Sequence, residues 1–271
     1  MPELPEVETA RAGIAPHVLG ETISAVIVRD SRLRWPVPRM LARTLPGQTV
    51  RQLSRRAKYL LFYTEKGCLI LHLGMSGSLR IVSADQPPDK YDHVDIGLTS
   101  GLCLRLRDPR RFGSIHWTTD DPLRHPLLHR LGPEPLSNRL TGRYFYDKSR
   151  ARTQSIKAFL MDSRVVAGIG NIYANEALYA TGIHPGRKAG GVSKRRYERL
   201  AASVKEVLRR AIEKGGTTLR DFVDGAGNPG YFRHELQIYQ RRGETCRRCN
   251  GIIRTLRLGQ RSTYYCPGCQ R

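Results

Sequence analysis

The sequence predicts an α+β chain: an N-terminal antiparallel sandwich or barrel, a helical middle, and a small cysteine-rich tail. Three observations carry this prediction. Short apolar runs alternate with turn signals from about residue 21 to 118, helical spacing replaces them after residue 137, and paired cysteines mark the tail. The 271 residues are enough to bury a proper core and fit two ordinary domains better than one.

Residues 5–17 read as a helix. Pro5 suits the first helical position, and Glu6 and Glu8 favour the positive end of the helix dipole. Val7, Ala10 and Ile14 recur at spacings of three and four, which makes an apolar stripe. The runs at 23–28, 58–63, 68–73, 78–82, 93–98, 102–107 and 114–118 read as strands, parted by turns such as GMSG and TSG. A Pro- and Gly-rich stretch at 132–137 reads as a domain boundary. Beyond it, 155–162, 171–182 and 192–216 are helix candidates, the last with Leu200, Val204, Val207, Leu208 and Ala211 on one face.

Lys plus Arg outnumber Asp plus Glu by 46 to 24, a net charge of +22. Such an excess points to a polyanionic partner, either nucleic acid or an anionic membrane surface. Mean hydropathy is −0.45 and no apolar run approaches the roughly 18 residues of a spanning helix, so the membrane reading weakens. The acidic start MPELPEVET lacks the apolar core of a secretory signal, so the expected setting is cytoplasmic.

Cys246, Cys249, Cys266 and Cys269 stand in the spacing C-x2-C-x16-C-x2-C. Each CxxC knuckle places two thiolates on one side, and two knuckles complete a tetrahedron around one structural Zn²⁺. Four ligands leave no open position, so this metal folds the tail and does no chemistry. A pair of disulfides is the competing reading, and it needs an oxidising compartment. Cys68 and Cys103 lie in strand-like runs and read as buried hydrophobes. Between the knuckles, 254–265 reads as a hairpin with Arg261 near its turn, suited to phosphate contact or groove insertion.

Removal of Met1 would leave Pro2 with a free secondary amine, which can attack a sugar aldehyde carbon and form an iminium. Glu3 beside it can move protons or merely support a helix start. Those two residues alone say little. In order along the chain, however, stand PELPEVET (2–9), RRAKYLL (55–61), HLGMSGSLR (72–80), YDHVD (91–95), DPRRFG (108–113), LGPEPL (131–136), GIGNIYANEAL (168–178), GIHP (182–185), GGTTLRDF (215–222) and PGYF (229–232). With the terminal ribbon they closely resemble the formamidopyrimidine-DNA glycosylases, bacterial enzymes that excise oxidised purines.

That resemblance implies an N-terminal β-sandwich over 1–132, a helix–two-turn–helix domain over 133–236, and a zinc ribbon over 237–271. It implies Pro2 as nucleophile on C1′, Glu3 as general acid/base, and Lys58 as proton donor in β-elimination. Arg261 would grip the phosphates flanking the lesion and assist δ-elimination. Asn171, Arg152 and Lys157 match DNA-contact positions. Tyr91 stands where the family has a histidine that contacts DNA, and its hydroxyl can still bond a phosphate. Met75, Arg110 and Phe112 match residues that fill the void left by an extruded nucleotide, work that suits two wedges and a hydrogen-bonding guanidinium. The loop from Thr217 to Tyr231 would cover the flipped base. The expected partner is damaged duplex DNA, met by a monomer. Two alternatives stand beside this reading. One is an endonuclease VIII-type glycosylase for oxidised pyrimidines, and the other a non-catalytic zinc-ribbon protein that binds nucleic acid by charge alone.

Overall fold

The computed structural model describes residues 2–217 and 232–271, so the expected cover over 217–231 lies outside the described residues apart from Thr217. The chain divides into two compact units, residues 1–129 with 214–233, and residues 130–213 with 234–271.

The first unit opens with α1 (Leu4–Val18), which starts one residue before the expected Pro5. Glu3 is its N-cap, and the Glu3 N–H donates to the Glu6 carboxylate at 2.8 Å. Next come β1 (Ile23–Val28), a single turn α2 (Leu41–Thr44), and seven further strands. These are β2 (Gln52–Arg56), β3 (Tyr59–Tyr63), β4 (Cys68–His72), β5 (Ser78–Ser83), β6 (Asp92–Leu98), β7 (Leu102–Arg107) and β8 (Ser114–Thr118). They form two four-stranded antiparallel sheets, ordered β1-β6-β7-β5 and β2-β3-β4-β8. One aliphatic core joins them: Leu60, Leu71 and Ile115 from one sheet, Val94, Leu104 and Leu106 from the other, and Val7, Ala10 and Ile14 from α1. Two sheets around a shared core make a sandwich, which settles the alternative left open by the sequence. Strand β2 lies outside the strand runs that the sequence predicts, because QLSRR carries one buried apolar residue, Leu53, among polar ones. Cys68 and Cys103 are buried as expected, and burial pushes their thiols up to about 12 and about 11.

The second unit contains α3 (Gly142–Ser149), α4 (Ile156–Met161), α5 (Asn171–Thr181), α6 (Lys194–Glu213) and a hairpin of β9 (Arg254–Leu258) with β10 (Arg261–Tyr265). The three long candidates appear within a few residues of their expected ends. Helix α3 has no periodic signal in the sequence, since GRYFYDKS buries only Phe145 among its large side chains. Phe145 packs against Phe159 of α4 and Tyr197 of α6, with ring centroids 6.0 Å away in both pairs. Among the described residues, no helix is long and apolar enough to cross a membrane.

Candidate functional site

In the first unit, Pro2 and Glu3 are both buried, Glu3 at 2% exposure, and they lead directly into α1. Glu6 lies one turn further on and is equally buried. One of its oxygens takes the Glu3 N–H, and the other takes the Thr217 N–H at 2.8 Å. The start of α1 is therefore fastened to the segment that precedes residue 218.

Lys58 sits on the two-residue turn between β2 and β3, beside Ala57 at φ 54°. Arg55 ties this turn to α1: its Nε donates to Glu8 Oε2 at 2.8 Å and its Nη1 to the Ala57 carbonyl at 2.9 Å. His72, which the sequence did not single out, ends β4 opposite Tyr59, with ring centroids 4.7 Å apart. Burial, aided by the charges of Lys58 and Arg34 and by His116, pushes its pKa down to about 4. Its Nδ1 accepts the Gly74 N–H at 2.9 Å, so the neutral ring carries its proton on Nε2. A neutral N–H donor next to a cationic lysine can receive an anionic oxygen.

Met75, Arg110 and Phe112 lie on two turns that touch through their backbones. Gly74 has φ +65°, and a Cβ there would stand 2.3 Å from the Phe112 carbonyl carbon, so only glycine permits the approach. Asp108, fully buried, braces both turns. It accepts from Ser76 Oγ at 2.9 Å and from the Gly113 N–H at 2.7 Å. Phe112 is 43% exposed, and the exposed Arg110 lies 5.1 Å over its ring. An aromatic held out in water beside a turn braced by a buried carboxylate can meet an apolar partner without rearrangement. Arg107 and Lys90 each lie over the Tyr91 ring, at 5.3 and 5.6 Å from its centre. The loop before it hangs on Arg105, 1% exposed, whose guanidinium binds the carbonyls of Gln86 and Pro87 and pairs with Asp95 at 2.9 Å.

In the second unit, Gly259 and Gln260 turn the ribbon hairpin with φ +52° and +59° and set the exposed Arg261 at its tip. The hairpin is braced from behind. Lys157 was expected among DNA contacts; here it is 1% exposed, and its ammonium donates to Thr263 Oγ1 at 2.6 Å and the Ser262 carbonyl at 3.2 Å. Its charge therefore supports the strand behind Arg261. Asn171, at the start of α5, also donates to the Ser262 carbonyl at 3.2 Å, and Asn175 accepts the Tyr264 N–H at 2.8 Å. Glu176, another residue the sequence did not single out, is 4% exposed and takes the N–H groups of Gln237, Ile238 and Tyr239 at 2.9 to 3.0 Å. Burial raises its pKa against those three donors. Arg152 is exposed just before α4.

The Sγ atoms of Cys246, Cys249, Cys266 and Cys269 lie within 4.8 Å of one another, with Cys249 and Cys266 at 3.4 Å and Cys246 and Cys269 at 3.8 Å. Four thiolates around zinc at about 2.3 Å stand roughly 3.8 Å apart, so the set fits one tetrahedral Zn²⁺. Tyr179 Oη, 3.1 Å from Cys246 Sγ, provides the outer hydrogen bond that such sites use. The four cysteines hold one structural zinc.

Three family descriptions cover most of the chain. Residues 1–115 match the formamidopyrimidine-DNA glycosylase N-terminal domain, 131–223 the H2TH domain of the same enzymes, and 243–271 the zinc finger found in FPG and IleRS. Curated formamidopyrimidine-DNA glycosylases from Alkalilimnicola ehrlichii and Pseudomonas savastanoi pv. phaseolicola are each 57% identical to it, over the full length of both chains. Among solved structures, a Lactococcus lactis FPG mutant in complex with Fapy-dG containing DNA superposes with a TM-score of 0.93 at 33% identity over the whole of both chains. The Lactococcus lactis Fpg in complex with abasic-site DNA gives 0.92 at 34% identity, over 99% of each chain. Matching end to end in sequence and fold, the chain belongs to the formamidopyrimidine-DNA glycosylase family.

Proposed function

We propose that this chain is a bifunctional base-excision enzyme that removes oxidised purines from duplex DNA and then cleaves the abasic site. Once Met1 is removed, the Pro2 amine attacks C1′ of the extruded nucleotide. The glycosidic bond breaks and the base leaves with a proton, while Glu3 supplies and removes protons as the sugar ring opens. The resulting iminium draws electrons from C2′, so loss of a C2′ proton expels the 3′ phosphate, with Lys58 supplying a proton. A second elimination expels the 5′ phosphate, assisted by Arg261. Met75 and Phe112 fill the gap and Arg110 bonds the orphaned base, while Tyr91, Asn171 and Arg152 hold the backbone. Lys157 acts from behind the hairpin. We expect a cytoplasmic monomer acting on damaged DNA.

The observation that carries this reading is the Glu8–Arg55–Ala57 link, which fastens the Lys58 turn to the helix that Pro2 and Glu3 begin. Oxidised pyrimidines are a second substrate class. A Lactococcus lactis Fpg is known in complex with DNA containing an oxidised pyrimidine, with a TM-score of 0.92 to this chain. Borohydride trapping on a duplex carrying one 8-oxoguanine tests the mechanism. A covalent adduct with the wild-type chain and none with Pro2→Gly, lesion binding being retained, is expected. An undiminished adduct in Pro2→Gly would remove Pro2 from the reaction.

A further inference from the structure

Helix α5 has a second cationic end. Its first residue, Asn171, bonds the hairpin strand at Ser262, next to Arg261. At its last turn, Arg248 donates to the carbonyls of Tyr179 and Ala180 at 2.9 and 3.2 Å and lies 4.5 Å over the Tyr179 ring. Arg196 donates to the Gly182 carbonyl at 3.3 Å and to a main-chain carboxylate oxygen of Arg271 at 3.1 Å. Arg187 and Arg199 stand close enough to Arg196 that, after desolvation, their charges lower its pKa. Arg247, on the first zinc knuckle, is exposed beside Arg248.

Capping a helix does not account for this group. The C-terminus of a helix carries roughly half a negative charge, and two guanidinium groups already meet its free carbonyls. Arg187, Arg199 and Arg247 add three exposed charges, and among the described residues no Asp or Glu side chain pairs with any of the five. Holding unpaired arginines together costs free energy unless something anionic arrives. Nor does the front of the unit account for them. The eleven residues of α5 set its two ends about 15 Å apart, and the Debye length in cells is about 8 Å. The knuckle that carries Arg247 and Arg248 likewise lies at the other end of the ribbon from the turn that carries Arg261.

We infer that this rear arginine surface, formed by Arg187, Arg196, Arg199, Arg247 and Arg248, binds the phosphate backbone of a second DNA duplex. Planar guanidinium groups on an open surface suit a phosphate row, and phosphate contacts carry no base readout. A chain holding one duplex at the front can then pick up a neighbouring segment at the rear before releasing the first. This mode of search depends on charge alone and needs none of the reacting groups.

Native mass spectrometry with a short undamaged duplex, at rising salt, tests the inference without any excision step. It therefore stands or falls apart from the proposed chemistry. The wild-type chain is expected to show one-to-one and one-to-two complexes with DNA. The triple variant R187Q/R199Q/R247Q should keep the first with its zinc, and weaken the second by about tenfold or more, with a shallower salt slope. R187K/R199K/R247K should recover the second duplex, which separates lost charge from lost folding. A wild-type chain that never takes a second duplex, or a glutamine variant that takes it as well as wild type, overturns the proposal.

Discussion

In the N-terminal unit, the turns bearing Met75, Arg110 and Phe112 hang on the buried carboxylate of Asp108, on strands whose core is aliphatic. In the C-terminal unit, the hairpin bearing Arg261 hangs on four thiolates, Lys157 and the amides of Asn171 and Asn175. The first arrangement needs nothing beyond the chain. The second needs a metal, because the core around the ribbon is little more than Tyr179, Ile238, Ile253 and two of the ligands themselves. Under the proposed function, this difference divides the labour: the groups proposed to react rest on a sandwich that folds by burial alone, and the proposed backbone grip rests on a ribbon that zinc completes.

Breaking the ribbon should give the largest effect. Cys249→Ser is expected to lose the zinc and to weaken DNA binding by on the order of a hundredfold, since several phosphate contacts go together. Both tryptophans, Trp35 and Trp117, lie in the sandwich unit, so their fluorescence reports that unit separately. It should unfold at the wild-type denaturant concentration. A sandwich that melts with the ribbon would erase the division.

Asp108→Ala is the matching cut in the other half. It strands the Ser76 hydroxyl and the Gly113 N–H, a cost of about 2 to 4 kcal/mol for two buried polar groups. Tryptophan-monitored unfolding should show that loss with the zinc content unchanged, and lesion affinity should fall more than affinity for undamaged duplex. A smaller effect comes from pH. The His72 pKa is near 4 in the folded chain against an ordinary value of 6.5, so the unfolded chain binds the extra proton between those values. The sandwich should therefore lose stability as pH falls from about 6.5 to about 4, and His72→Gln should flatten that slope in the same fluorescence assay.

Much of this was legible beforehand because the relevant patterns are local. The CxxC pairs fix ligand geometry by spacing, the strand runs alternate, and the Pro2–Glu3 start is contiguous in sequence. What escaped depends on distant pairing. Asp108 looks like one more acid before Pro109 until Ser76 and Gly113 close on it. Glu176 reads as a polar residue of an amphipathic helix until the N–H groups of 237–239 reach it. The resemblance sets Lys157 among DNA contacts, and only the fold shows that its ammonium is buried and donates to Thr263. In strand β2 and helix α3, polar residues outnumber the buried ones, so tertiary packing decides their structure where periodicity cannot.

Excision and affinity measured on one 8-oxoguanine duplex, for Glu3→Gln beside Arg152→Gln, test the division of labour most directly. Glu3→Gln keeps size and removes acid/base capacity, so binding should survive while single-turnover excision falls by a factor on the order of 10² or more. Arg152→Gln should do the reverse, lowering affinity and the salt slope by about one unit while excision at saturating enzyme holds. Wild-type excision by Glu3→Gln would leave Glu3 as a helix cap and nothing more, and would contradict the account.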